Sequence, residues 1–209
     1  MEEYLNEKEQ WERVLAWLRE QGPWILGGVV IAVAIYGGWT YWQNRTQQRN
    51  LAAATGYEQV IDAFGHSDIN GGIRLADDLI KAYPGTAYAD QVNLAVARIQ
   101  IENRQLDQGA ARLRQVLAST QDAELALITR LRLARVQLAQ GKADEALKTL
   151  DAVNPGAFAA RYAEVRGDAL LAKGDRDGAL KAYREARSSG GATIDTALLD
   201  LKIGELARS

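Results

Sequence analysis

The sequence predicts an all-α protein in which an N-terminal apolar helix precedes a stack of antiparallel helix pairs. Three observations carry this. Ala, Leu, Gln, Arg and Glu are abundant and only three prolines interrupt 209 residues, a composition that favours helix. Residues 23–42, PWILGGVVIAVAIYGGWTYW, hold no charge in a chain that is 25% charged. Further on, packing residues and turn glycines recur together at separations of 37 and 33, the mark of stacked helical units.

The leader, residues 1–22, sets six Glu against Lys8, Arg13 and Arg19. Trp11, Val14, Leu15 and Leu18 fall at i, i+3, i+4 and i+7, an apolar stripe on an otherwise charged helix. Such a helix suits a membrane surface. Gly22-Pro23 then punctuates the chain, with proline placed to start the next helix.

At 1.5 Å per residue the uncharged stretch extends about 30 Å, the thickness of a hydrocarbon core. Ile25, Leu26, Val29, Val30, Ile31, Val33 and Ile35, at roughly -0.5 kcal/mol each, give about -3.5 kcal/mol for insertion. Trp24 at one end and Trp39, Tyr41 and Trp42 at the other supply interfacial aromatics. A cleaved signal peptide would show a basic leader and a small-residue cleavage site. Here the leader is acidic and the stretch runs into YWQNRT. Residues 23–43 are therefore expected to be an uncleaved transmembrane helix in a lipid bilayer. Three basic residues before it and Arg45 and Arg49 after it leave its orientation open on charge alone. On a helical wheel Gly27, Ala34 and Gly38 lie within about 20° of one direction, with Val30 and Gly37 close beside. This smooth stripe is a candidate surface for packing against another membrane helix.

Residues 44–209 show no strand alternation. Helical stretches are parted by GHSDINGG (65–72), YPGT (83–86), NPG (154–156) and SSGGA (188–192). LAVARIQ (94–100) and LRLARVQ (131–137) share one pattern, and AQGKADEALKTLDAV (139–153) and AKGDRDGALKAYREA (172–186) share another. Together they describe a tetratricopeptide-like helix-turn-helix unit. A small residue in the first helix (Ala97, Ala134, Gly167) admits its partner, a turn glycine (Gly141, Gly174) relieves the reversal, and a small residue in the second helix (Gly109, Ala146, Ala179) precedes an apolar one four later (Leu113, Leu150, Tyr183). Ala76, Ile80, Tyr83 and Pro84, behind a helix through Phe64, imply an earlier unit. The expected architecture is about four pairs closed by an amphipathic capping helix from Ile194 to Leu206.

Catalysis finds no foothold. There is no Cys for a disulfide or a thiolate metal site, and neither phosphate-loop signature occurs. His66, the only histidine, sits in GHSD, where sequence neighbours in a loop lack the geometry of a triad. Asp77-Asp78 read as a solvated face. Beyond the apolar stretch, 22 of the 25 Lys and Arg face 21 of the 27 Asp and Glu, which gives no electrostatic case for nucleic acid. A binding protein without cofactor is expected. In such stacks the first helix of each pair lines the concave side. Arg98 and Arg135 hold equivalent positions there, with Arg132 and Arg161 on similar turns, and form a candidate groove for acidic or extended polypeptide. The competing reading has these arginines pairing with acids of neighbouring helices.

An acidic leader, a single span ending in GGWTYWQN, then KAYPGTAYA, LRLARVQLAQGKADEALKTLDAV and VRGDALLAKGDRDGALKAYREA resemble the YfgM family over essentially the whole chain. The resemblance implies a non-enzymatic ancillary subunit of the SecYEG translocon in the bacterial inner membrane, with a cytoplasmic N-terminus and a periplasmic repeat domain. It also implies association with a PpiD-like membrane-anchored chaperone, and help in passing translocated, nascent secretory polypeptides to periplasmic chaperones. The alternative is a membrane-anchored regulatory scaffold whose acidic N-terminus sequesters a stress-signalling regulator. Asp168 stands where Arg98 and Arg135 lead one to expect a third arginine, so the basic groove is expected to weaken at its C-terminal end.

Overall fold

The computed structural model describes residues 3–189 and 195–208, the side chains of residues 3–10, Leu18, Pro23 and Ile25 excepted. Leu18 of the expected leader stripe, and Ile194 at the expected start of the capping helix, thus fall outside what is described. Every regular element among the described residues is helical. The chain divides into two compact units, Met1–Leu51 and Ala52–Ser209.

The first unit belongs to α1 (Glu3–Gly65), which bends by 53° between the stretches Trp11–Gly22 and Leu26–Gly65. The break lies between Gly22 and Leu26 and includes Pro23, which removes a backbone donor from the helical ladder. The described large apolar side chains of this first unit are exposed, among them Trp24 at 80%, Val30 at 66% and Trp42 at 68%. A Cβ added at Gly27, Gly28, Gly37 or Gly38 would meet nothing within 4 Å. Thr40 and Thr46 donate their hydroxyls to carbonyls one turn back, at 3.0 Å, so neither hydroxyl asks for water. Among the described residues no single helix is long and apolar enough to cross a membrane, although the two bent stretches pass that test together. The span expected over 23–43 is divided by the break between Gly22 and Leu26, which separates residues 23–25 from the apolar stretch that follows.

The second unit pairs the last turns of α1 with α2 (Ile69–Ala82), α3 (Ala87–Glu102) with α4 (Leu106–Ser119), α5 (Ala123–Ala139) with α6 (Ala143–Asp151), and α7 (Ala159–Ala172) with α8 (Arg176–Ser189). Helix α9 (Thr196–Arg208) packs on α8 and closes the array. The expected packing residues are where the pattern put them: Ala97, Ala134, Ala146, Ala179, Leu113, Leu150 and Tyr183 are all essentially inaccessible. Gly167 needs its bare backbone, because a Cβ there would come within 2.4 Å of the Tyr183 ring. Short helices that would be marginal alone thereby share one apolar core.

GHSDINGG is not wholly a breaker. Helix α2 begins at Ile69, and Gly71 and Gly72 are buried inside it. A Cβ on Gly72 would strike the Phe64 ring at 2.3 Å, so this glycine brings two helices together instead of parting them.

All four turns within pairs close alike. In the second pair the Gln105 amide donates to Gln100 and the Arg104 amide to Ile101, and in the third Lys142 donates to Gln137 and Gly141 to Leu138. This double bond pattern needs a left-handed residue, supplied by Ser67 (φ 63°), Arg104 (63°), Gly141 (75°) and Gly174 (84°). An L-residue there costs about 1–2 kcal/mol. Arg104→Gly should therefore raise stability by ~0.5 kcal/mol net of glycine's larger entropy loss, read as a higher urea midpoint with unchanged slope.

Candidate functional site: a basic groove between the inner helices

The inner helices α3 and α5 enclose a groove of about 630 Å³, within the usual range of ligand sites. Its apolar floor comes from Leu94, Ala97 and Ile101 of α3, Leu113 of α4 and Val136 of α5, and its rim carries Arg98, Glu102, Arg132 and Arg135. The helical pattern explains the division. Leu113 and Ala97 point into the core, while the arginines sit between core positions on the exposed face of each inner helix.

Three of the four predicted arginines thus meet at one groove. Arg161 does not line it. The 33-residue offset of α7 puts Arg161 level with Ile128 of α5, one turn before Arg132. Sequence reasoning missed Glu102, although the signal was present: it lies four residues after Arg98 on the same helix face. Arg98 Nε donates to Glu102 Oε1 at 2.8 Å, and this hydrogen bond and the carboxylate's charge push the Arg98 pKa further up. The apolar floor of Leu94, Ile101 and Val136 emerges only when α3 and α5 are set side by side.

Ion pairs between helices also tie the stack together at other residues. Arg112 of α4 reaches Asp77 of α2 at 2.6 Å, so Asp77 ties the first helix pair to the second and is more than a solvated acid. Arg166 of α7 meets Asp151 at the end of α6 at 2.5 Å, and Lys173 meets Asp144 at 2.6 Å. The Lys173 hydrogen bond lowers the Asp144 carboxyl pKa.

At the C-terminal end, Asp168 accepts from Tyr183 Oη at 2.8 Å and from Lys202 Nζ of α9 at 2.7 Å. Lys202 also reaches Glu164 at 3.1 Å and stands 5.3 Å from the Tyr183 ring centre. The carboxylate that interrupts the arginine series is the dock for the capping helix. His66 is an exposed turn residue whose Nδ1 lies 2.9 Å from the Asp62 carbonyl, and Asp68 is occupied in capping Gly71 at 2.8 Å. No constellation of three or more metal-ligating side chains occurs among the described residues.

The family described as a tetratricopeptide repeat-like domain matches residues 15–208. The Escherichia coli K12 protein named ancillary SecYEG translocon subunit is 33% identical over 99% of this chain and 100% of its own length. The Haemophilus influenzae protein of the same name is 29% identical over 97% of this chain and 98% of its own. Among solved structures, MamA (41-end) from Desulfovibrio magneticus RS-1 superposes with a TM-score of 0.55 at 14% identity, covering 75% of this chain and 95% of that one. That likeness concerns the fold. Full-length similarity, together with four helix pairs closed by a cap, places the chain in the YfgM family of tetratricopeptide-like proteins.

Proposed function

We propose that the chain acts as an ancillary subunit of the SecYEG translocon. In this reading residues 23–43 anchor it in the bacterial inner membrane, residues 1–22 lie in the cytoplasm and residues 44–209 in the periplasm. The solenoid works by binding and not by turnover: it engages a PpiD-like chaperone or emerging polypeptides and assists their hand-over. The observation that carries the reading is full-length similarity to proteins bearing that subunit name. A run of exposed apolar side chains from Trp24 to Trp42 supports a non-aqueous or helical neighbour for that segment, and the basic groove supports a polypeptide ligand.

The stripe of Gly27, Val30, Ala34, Gly37 and Gly38 is proposed to pack against a helix of the translocon or of the chaperone. An anchor that only had to insert would gain from leucine at these places. Replacing Gly27, Ala34 and Gly38 by Leu should leave the chain in the membrane fraction and reduce recovery of SecY in mild-detergent affinity purification on the order of tenfold. Undiminished recovery would reduce the segment to a tether. Failure of the unaltered chain to recover SecY at all would sink the translocon reading. Recovery of a cytoplasmic regulator that depends on residues 2–20 would then favour the scaffold.

A further inference from the structure

The two walls of the groove differ in charge balance. On α3, Arg98 is held by Glu102 at 2.8 Å. The 37-residue offset puts Ala139 in the place of Glu102 on α5, so the equivalent Arg135 has lost that acid. None of the positions three or four away from Arg132 or Arg135 is acidic. On the next inner helix, Asp168 and Glu164 are both engaged by Lys202. Arg132 and Arg135 are exposed, and neither makes an ion pair among the described residues. Two like charges one turn apart oppose each other until a ligand supplies the counter-charge.

Their spacing describes that ligand. Side chains at i and i+3 of a helix have Cβ atoms about 5–6 Å apart. Two carboxylates one turn apart on a second helix repeat that interval, whereas alternate residues of an extended strand stand roughly 6.5–7 Å apart. Beside the arginines, Leu94, Ile101 and Val136 line an apolar floor. Resting on the reading of this groove as a polypeptide-binding surface, we propose that it takes an acidic amphipathic helix. The helix sets two carboxylates, one turn apart, against Arg132 and Arg135 and lays an apolar side chain over Leu94 and Ile101. Glu102 acts as a built-in competitor that keeps Arg98 out of the contact, so the ligand is read from the α5 side.

The full chain in detergent micelles is titrated against a fluorescent alanine-based helical peptide with Glu at i and i+4 and Leu at i+3 and i+7. A counterpart carries Gln for Glu. The Glu peptide should bind roughly tenfold tighter, a preference that shrinks as salt is raised. The double variant Arg132→Gln/Arg135→Gln should lose about that factor, while Glu102→Gln should bind the Glu peptide about threefold tighter by releasing Arg98. A gain on one side and a loss on the other is a result that general misfolding does not produce. Equal binding of the two peptides, or an unaffected double variant, overturns the proposal. Recovery of SecY by the same preparation separates the two readings. SecY recovered without peptide preference removes this inference alone, and peptide preference without SecY removes the translocon assignment while the groove's chemistry stands.

Discussion

Leu150→Ala is expected to lower the stability of the solenoid by about 2–5 kcal/mol, the cost of deleting a fully buried leucine side chain. Leu150 is wholly inaccessible and packs with Leu131, Ala134, Tyr162 and Val165, so it bridges the third pair and the first helix of the fourth. Its helix, α6, is only 9 residues long, against 14 for α2, α4 and α8. Fewer apolar contacts are therefore available to close the void. Stability in stacked repeats is a sum of unit and interface terms, and this site weakens both. A fall in melting temperature on the order of 10 °C, with early hydrogen exchange in α6 and α7, is the expected observation. Leu113→Ala, one repeat earlier, removes the same atoms from a longer helix and should cost less. A greater loss at Leu113 would mean that helix length does not set the weakness.

The second large effect is at the cap. Lys202→Ala leaves Glu164 and Asp168 facing each other without their cation. Both carboxylates are more than half shielded, at 15% and 34% exposure. Removing one partner of a buried pair costs about 3–5 kcal/mol, and partial exposure here reduces that to about 2. The readout is protease cleavage within residues 195–208, which should accelerate roughly tenfold or more while cleavage in α3 and α4 stays unchanged. Rescue by Lys202→Arg would show that charge is what matters. The same cluster sets an alkaline limit. Burial by itself lowers the Lys202 pKa, but hydrogen bonds and charge from Asp168 and Glu164 outweigh it and leave the pKa raised. Tyr183 is raised chiefly by burial, then by its bond to Asp168. Both shifts are upward, so their stabilisation is complete below the ordinary values of 10.0 and 10.5 and is lost as pH climbs through the folded ones. Stability should fall above about pH 10, and Tyr183→Phe together with Lys202→Met should flatten that fall.

Much of the fold was legible because repetition makes one pattern testable at several places. Ala97 and Ala134, or Leu113 and Leu150, are buried for the same geometric reason, and each occurrence checks the other. The first two turns were harder to read. Ser67 and Arg104 adopt the left-handed conformation without glycine, so the usual punctuation was absent and GHSDINGG looked longer than the turn it contains. The groove was half legible. Inner-helix arginines follow from the repeat, but the 33-residue offset sets Arg161 one turn away from the groove, and the pairing of Glu102 with Arg98 depends on side-chain geometry as well as spacing. Lys202 with Asp168 lay beyond reach altogether, since the two are 34 residues apart and meet only through the path of α9.

On the proposed reading of the groove, Asp168 would also limit how much polypeptide the protein holds at once. By giving the fourth inner helix to the cap, it confines the basic rim to α3 and α5, so a bound segment would be short. Contacts that small sit at the weak end of specific association, with lifetimes set by fast dissociation. A client held this way would be sampled and released, not stored. On that proposal the protein would act as a reader of short addresses on passing chains, its occupancy following their local concentration instead of their total number.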